Sequence, residues 1–157
     1  MSNELFNLLT IVFLLVLLGT IILFIIFSIL IIKNIFKKGG DFPKKTLTAF
    51  LVGAIFISTY ILNWQNNSKF LPEGYLTEVI PSINGEHEAR IYYYSGFIDY
   101  KNVRVSIFDK ENREEKTIYY NFVDGPLQVE WISREKISIN NLELNIHEDS
   151  YDMRNET

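Results

Sequence analysis

Cysteine is absent from the 157-residue chain. That excludes a disulfide framework, thiolate zinc sites and cysteine nucleophiles together. Histidine occurs only as His87 and His147, and there are four prolines. Charge is missing over two long stretches, from Leu5 to Ile32 and again between Lys45 and Lys69. There is no basic stripe to neutralise phosphates, which argues against a nucleic-acid partner. No glycine-rich phosphate loop is present either.

What remains is split into two chemically different halves. Residues 1–64 hold five lysines (Lys33, Lys37, Lys38, Lys44, Lys45) against two acids, a net charge of +3. The other 93 residues hold 17 acids and ten bases, a net of −7. The overall −4 therefore describes neither half, and the acidic half is too evenly charged to mark a partner.

The first half reads as a two-span anchor over residues 1–64, with a Lys-rich loop at 33–46. Leu5 to Ile32 is interrupted only by Asn7, Thr10, Gly19, Thr20 and Ser28. A helix of that length reaches about 42 Å, against a hydrocarbon core of about 30 Å, so it must tilt or project. A cleaved signal peptide has a basic start and a short apolar stretch. The leader Met1-Ser2-Asn3-Glu4 is not basic and the run is about twice too long, so the span is expected to be retained.

The second span, Leu47 to Leu62, is short for a crossing. Tyr60 and Trp64 stand where an interfacial aromatic belt belongs. Ala49 and Gly53, beside Ala54 and Ser58, let a second helix approach closely, and the first span is its expected partner. Lysine-rich short loops stay on the cytoplasmic side. Lys33, Lys37, Lys38, Lys44 and Lys45 then lie at the inner interface, held by anionic lipid. The expected location is the cell membrane, multi-pass, with the N-terminus and the C-terminal domain outside.

Residues 65–74 form a tether, and residues 75–157 an all-β extracytoplasmic domain. Alternation of period two predicts strands at Tyr75–Ile80, His87–Ser95, Val103–Asp109, Lys116–Phe122, Leu127–Ser133, Lys136–Asn140 and Leu142–Ile146. Asn84-Gly85 and Asn140-Asn141 suit tight turns, and Asp124-Gly125-Pro126 is a breaker. One apolar face collects Val103, Val105, Ile107, Ile118, Tyr120, Phe122, Val129, Trp131, Ile137, Ile139, Leu142, Leu144 and Ile146. The expected fold is an antiparallel meander or small sandwich, with the strands of Tyr75–Ser95 folding over that face.

Trp131, the run Ile137-Ser138-Ile139-Asn140-Asn141-Leu142-Glu143-Leu144 and the ending Asp149-Ser150-Tyr151-Asp152-Met153-Arg154 carry a family resemblance. So do Leu71-Pro72-Glu73-Gly74 and Ser82-x-Asn84-Gly85, although Pro81 precedes the serine where the family pattern has it following. Over about residues 71–154 the chain resembles domain of unknown function 5412 from Bacillus-type bacteria. The resemblance implies a membrane-tethered or lipid-anchored outer domain on a Gram-positive surface, with no known activity.

The candidate sites are few. A metal site needs His87 and His147 to meet beside a carboxylate such as Glu86 or Glu148, and they lie at opposite ends of the domain sequence. They are read as solvated strand-edge residues. Glu148, Asp149 and Asp152 lack the glycine and spacing of a calcium loop. This ending is read as a solvated tail, or as docking back on the sheet with Arg154 forked onto a carboxylate. Tyr92, Tyr94 and Tyr119 are predicted to face outward as a possible binding surface for a sugar or peptide, while Tyr93 and Tyr120 pack. Ser95 and Ser106 have no base nearby, and the Asn66-x-Ser68 sequon matters only in a eukaryotic secretory setting.

No catalytic, cofactor or metal constellation is expected. The reading is a non-catalytic membrane-anchored surface or envelope protein, in contact with the lipid bilayer. Its outer domain would bind a protein, peptide or cell-wall component. The alternative is an accessory or regulatory subunit of a membrane transporter or sensor complex.

Overall fold

Long aliphatic runs without prolines leave the first half little choice but helix. In the computed structural model, which describes residues 1–36, 41–96, 101–123 and 125–155, α1 spans Asn3–Phe36 and α2 spans Lys44–Asn66. Lys37, Lys38, Gly39, Gly40 and Asp124 lie outside the described residues. The chain divides into two compact units, Asn3–Leu71 and Pro72–Thr157.

Glu4 in the first turn of α1 and Lys33 in its last both suit the helix dipole. The hydroxyls within the apolar run are satisfied locally. Thr10, Thr20 and Ser28 each donate to the carbonyl four residues back, on Phe6, Val16 and Phe24. Both helices are long and apolar enough to cross a membrane. At 23 residues α2 outruns its predicted span, because the helix continues through Asn63-Trp64-Gln65-Asn66. The expected tether is correspondingly shorter, and Ser68–Phe70 forms a 3₁₀ turn.

The two helices pack antiparallel. Thr10 Oγ1 lies 3.1 Å from Tyr60 Oη, Phe13 stacks on Tyr60 at 4.4 Å, and Phe24 meets Phe50 at 5.5 Å. Midway, Gly53 faces Thr20 so closely that a Cβ there would sit 2.1 Å from Thr20 Oγ1. Of the predicted small residues Gly53 makes this approach, while Ala49 and Ser58 stay exposed. Tyr60 turns into the helix contact, with its ring also edge-on to Phe70, instead of standing out as a belt residue.

Among its described residues the second unit holds eight strands: β1 Tyr75–Pro81, β2 His87–Ser95, β3 Lys101–Asp109, β4 Glu115–Phe122, β5 Val129–Trp131, β6 Lys136–Ile139, β7 Leu142–Asn145 and β8 Tyr151–Asp152. A five-stranded sheet runs β1-β2-β3-β4-β8, and a three-stranded sheet runs β5-β6-β7. All pairs are antiparallel except β4 with β8. Gly125 at φ 137° and Pro126, which has no N–H for a ladder, end the first meander. The Asn140-Asn141 turn has φ of 49° and 68°, both in the left-handed region as predicted.

One core is shared by the two sheets. Ala89, Ile91, Val103, Val105, Ile107, Ile118 and Tyr119 meet Val129, Ile137, Ile139, Leu144 and Ile146. This is the small sandwich, but with a different cover. The strands of Tyr75–Ser95 do not fold over the apolar face; β2 pairs with β3 along nine residues, and β5–β7 close the core instead.

The predicted faces of β4 also need correction. Val105 pairs with Tyr119 but Ser106 with Thr117, so Ile118 is an extra residue, a β-bulge. The alternation slips by one beyond it. Tyr119 enters the core, Tyr120 goes to the opposite face opposite Arg104, and Phe122 is 47% exposed. Leu142, at the hairpin edge, is exposed too.

Trp131 packs against the core from its rim, and its Nε1 donates to the carbonyl of Ile80 at 3.1 Å. It is half-buried, not central. Trp131→Ala is expected to cost about 2–4 kcal/mol, below a fully buried tryptophan, and Trp131→Phe about 1 kcal/mol for the lost hydrogen bond. Denaturant unfolding monitored by strand circular dichroism measures both, and a neutral Trp131→Ala contradicts the placement.

Candidate functional site

The outward face of β2, β3 and β4 gathers side chains that sequence alternation alone leaves unpaired. Register sets Tyr92 against Arg104 and Arg90 against Ser106. The Arg90 guanidinium lies 3.6 Å over the Phe108 ring, and that of Arg104 lies 4.3 Å over Tyr92. Arg90 also donates to Glu88 Oε2 at 3.1 Å and to Glu115 Oε2 at 3.2 Å, and Tyr92 Oη donates to the same Glu115 oxygen at 3.1 Å. Lys110 Nζ reaches the other oxygen of Glu88 at 3.3 Å.

Arg104 is anchored differently. Its Nη1 donates to Thr117 Oγ1 at 3.2 Å and its Nη2 to the Glu73 carbonyl at 2.9 Å, while its buried Nε has no hydrogen-bond partner. Next to Glu73, Gly74 has φ 77°, and a Cβ there would come within 3.1 Å of Tyr92 Cβ. The Leu71-Pro72-Glu73-Gly74 segment is thus fitted to this face by a residue that must be glycine.

Electrostatics stiffen the cluster. Hydrogen bonds from Arg90, then from Lys110, hold Glu88 below its ordinary range against the opposing effect of burial. Burial works against the charge of Arg90, yet its bonds to Glu88 and Glu115 outweigh that and push it up. Burial first, then Glu115, raises Tyr92, so its hydroxyl stays protonated. A Glu88 carboxylate held as an anion and a Tyr92 phenol held as a donor suit recognition better than proton transfer.

The predicted tyrosine patch is not assembled at the surface. Tyr92 is half-buried under Arg104, whereas Tyr94 is 2% and Tyr119 4% exposed. Tyr119 stacks on Tyr151 at 5.2 Å within the core. Tyr93 does pack against the core, and Tyr120 is buried at 1% on the outer face, with Arg154 5.4 Å over its ring. The signal for the swap was the unbroken run Ile118-Tyr119-Tyr120, which strict alternation does not contain.

The C-terminal segment docks as β8 beside β4, and Arg154 forks onto Asp152 with Nε–Oδ1 at 2.9 Å and Nη2–Oδ2 at 2.5 Å. Asp149 instead accepts from the Asn145 amide at 2.8 Å. Among the described residues, no three His, Asp or Glu side chains already surround one point. Ser106 is fully buried and shares a hydrogen bond with Thr117, away from any base.

The two histidines do meet. Although 60 positions apart, their rings lie edge to face at 6.0 Å, because the end of β7 comes over the start of β2 and the end of β3. His147 is exposed as predicted, but His87 is half-buried.

Of the predicted interface residues, Lys33 closes α1 and Lys44 and Lys45 open α2, all three exposed, and Asn34 Nδ2 reaches the Asp41 carbonyl at 2.8 Å. The far end of the hairpin carries Tyr60 and Trp64, and there the Met1 amino group donates to the Leu71 carbonyl at 3.1 Å.

The family model described as a family of unknown function, DUF5412, matches residues 43–156. The chain belongs to that family. The match reaches further than the resemblance read over residues 71–154, and the DUF5412 region begins at Pro43, just before α2. Comparison with curated proteins and with solved structures gives no match.

The acid response of this DUF5412 domain follows from its held carboxylates. Glu88 is lowered by Arg90, and Asp109 by the backbone amides of Asn112 and Glu111. A carboxylate with a lowered folded-state pKa stabilises the fold above its unfolded value, and that stability is lost as pH falls through the folded one. Thermal stability is therefore expected to fall as pH drops below the ordinary carboxylate range. Glu88→Gln should flatten part of that slope; an unchanged slope contradicts the Glu88–Arg90 assignment.

Proposed function

We propose that this protein is a non-catalytic membrane-anchored surface or envelope protein. In this reading α1 and α2 cross the bilayer as a hairpin, and the β-sandwich sits outside and binds a protein, peptide or cell-wall component. The observation that carries the anchoring is the distribution of the hairpin's ends. Met1 and Leu71 share one end, and Lys33, Lys44 and Lys45 gather at the other. With the lysines on the cytoplasmic side, both ends of the hairpin and the domain that follows fall outside. Lipid is the natural solvent for Leu8, Leu15, Leu18, Ile29, Val52 and Ile55, all exposed on the helices.

The face of Arg90, Tyr92, Arg104 and Glu115 is the proposed binding surface. Its side chains are pre-positioned by cation–π and ionic contacts, which lowers the ordering cost of taking a partner. Gram-positive surface location fits the family resemblance and belongs to the same proposal.

The second reading, an accessory subunit of a transporter or sensor, rests on the same exposed helix surface, which another membrane protein could cover. Gly53, which allows close helix approach on α2, is already occupied by Thr20 of α1 and is not open to a further helix. Co-purification in mild detergent separates the two.

The topology is tested directly. A reporter active only in the cytoplasm, fused after Thr157, is expected to stay dark in cells, and a cysteine at Gly40 is expected to resist an impermeant thiol reagent. A bright fusion overturns the orientation. Replacing the five loop lysines by glutamine should give mixed orientations, since little else in the short flanks specifies one.

A further inference from the structure

The cleft where the two histidines meet borders the proposed binding face through Glu115 and is otherwise distinct from it. It is an open cavity of about 200 Å³ lined by His87, Asp109, Glu114, Glu115, Lys116 and His147, with Ile107 and Ile146 as its apolar wall. Both histidines are held at the backbone. The amide of His87 donates to Ser82 Oγ at 3.0 Å, and its carbonyl accepts from the Ser82 amide at 2.9 Å. The amide of His147 donates to Asn145 Oδ1 at 2.9 Å, and its carbonyl accepts from Lys116 Nζ at 2.7 Å.

One ring nitrogen stands out. His87 Nδ1 is buried and makes no hydrogen bond. Buried polar atoms are nearly always paired, so this nitrogen leaves room for a partner such as a water or an ion. Among the described residues the chain brings near His87 a second imidazole, carboxylates that include Asp109 opposite it in the β2–β3 register and Glu114 on the cleft wall, and the Lys116 ammonium.

We infer that His87 and His147 form a two-histidine site for a first-row transition-metal ion of the zinc class. Paired imidazoles select Zn²⁺, Ni²⁺ or Cu²⁺ over the oxygen-seeking Mg²⁺ and Ca²⁺. Two nitrogens do not fill a tetrahedral shell, so the ion takes water or, after side-chain rotation, the Glu114 carboxylate for its remaining positions. Asp109 is already turned to the amides of Glu111 and Asn112, and it acts as a nearby negative charge instead of a ligand. Lys116 opposes the ion's charge but is drawn onto the carbonyls of Ile146 and His147. Moderate affinity follows. The bound ion would clip the end of β7 to the start of β2, joining the two sheets at the edge of their core.

The test uses the full chain without an affinity tag, in detergent micelles and freed of metal by chelation. Calorimetric titration with Zn²⁺ is expected to show one equivalent bound, with Mg²⁺ giving none at the same concentration. His147→Asn and His87→Gln should each weaken binding by at least about tenfold, as loss of one of two nitrogen ligands requires. His147 is exposed, so His147→Asn keeps the fold and decides the matter even if His87→Gln unfolds. Cu²⁺ bound to the parent should show two imidazole nitrogens by electron paramagnetic resonance, and one in His147→Asn. No zinc uptake by the parent, or uptake unchanged in His147→Asn, overturns the site.

Discussion

The single extra residue in β4 governs the outer domain. Because Ile118 is bulged out of the ladder with β3, Tyr119 turns inward and Tyr120 outward. Two consequences follow. The inward ring meets Tyr151, which brings the C-terminal segment alongside β4 as a parallel strand. The outward ring lies beneath Arg154, at the end of a face where Arg104 covers Tyr92 and Arg90 covers Phe108. Core closure and the charged aromatic face therefore depend on the same slip of register.

The helical hairpin rests on a different constraint. Two apolar helices have no hydrophobic drive to associate in lipid, so close backbone approach must supply the contact. Gly53 against Thr20 provides it, and Thr20 satisfies its own hydroxyl on the Val16 carbonyl. The Thr10–Tyr60 contact and the Phe13 stack fix the end opposite the lysines. A polar pair and one glycine thus position helices whose outer apolar residues stay exposed.

Much of this was legible in the sequence, and the misses share a cause. The apolar runs, the Asn140-Asn141 turn and the strands at Tyr75, His87 and Lys136 follow from local rules that need no partner. The Asp149–Arg154 ending reads first as a solvated tail and only second as docked with Arg154 on a carboxylate; pairing of β8 with β4 decides for the second. Register and stacking are not local. Alternation counted through Ile118 sends Tyr120 and Phe122 to the core, and only pairing with β3 shows the bulge. Nothing in the spacing of His87 and His147 brings them together; stacking of β7 over β2 and β3 does. The covering sheet was misassigned for the same reason, since β2 pairs along its whole length with β3 and leaves no strand free to fold over.

Function follows from where these constraints leave chemistry exposed. The anchor leaves apolar flanks, the outer sheet face leaves a stiff set of arginines and rings, and the sheet junction leaves two imidazoles. The last two rest on the sandwich in the register given by the bulge, so β4 is the place to test the account of the outer domain. Equilibrium unfolding of Tyr119→Ala and Phe122→Ala compares the two registers directly. With Ile118 bulged, Tyr119→Ala should cost about 3–5 kcal/mol and Phe122→Ala less than about 1 kcal/mol. The reverse order, with Phe122→Ala the costly change, would contradict the bulge and with it both faces of the sheet.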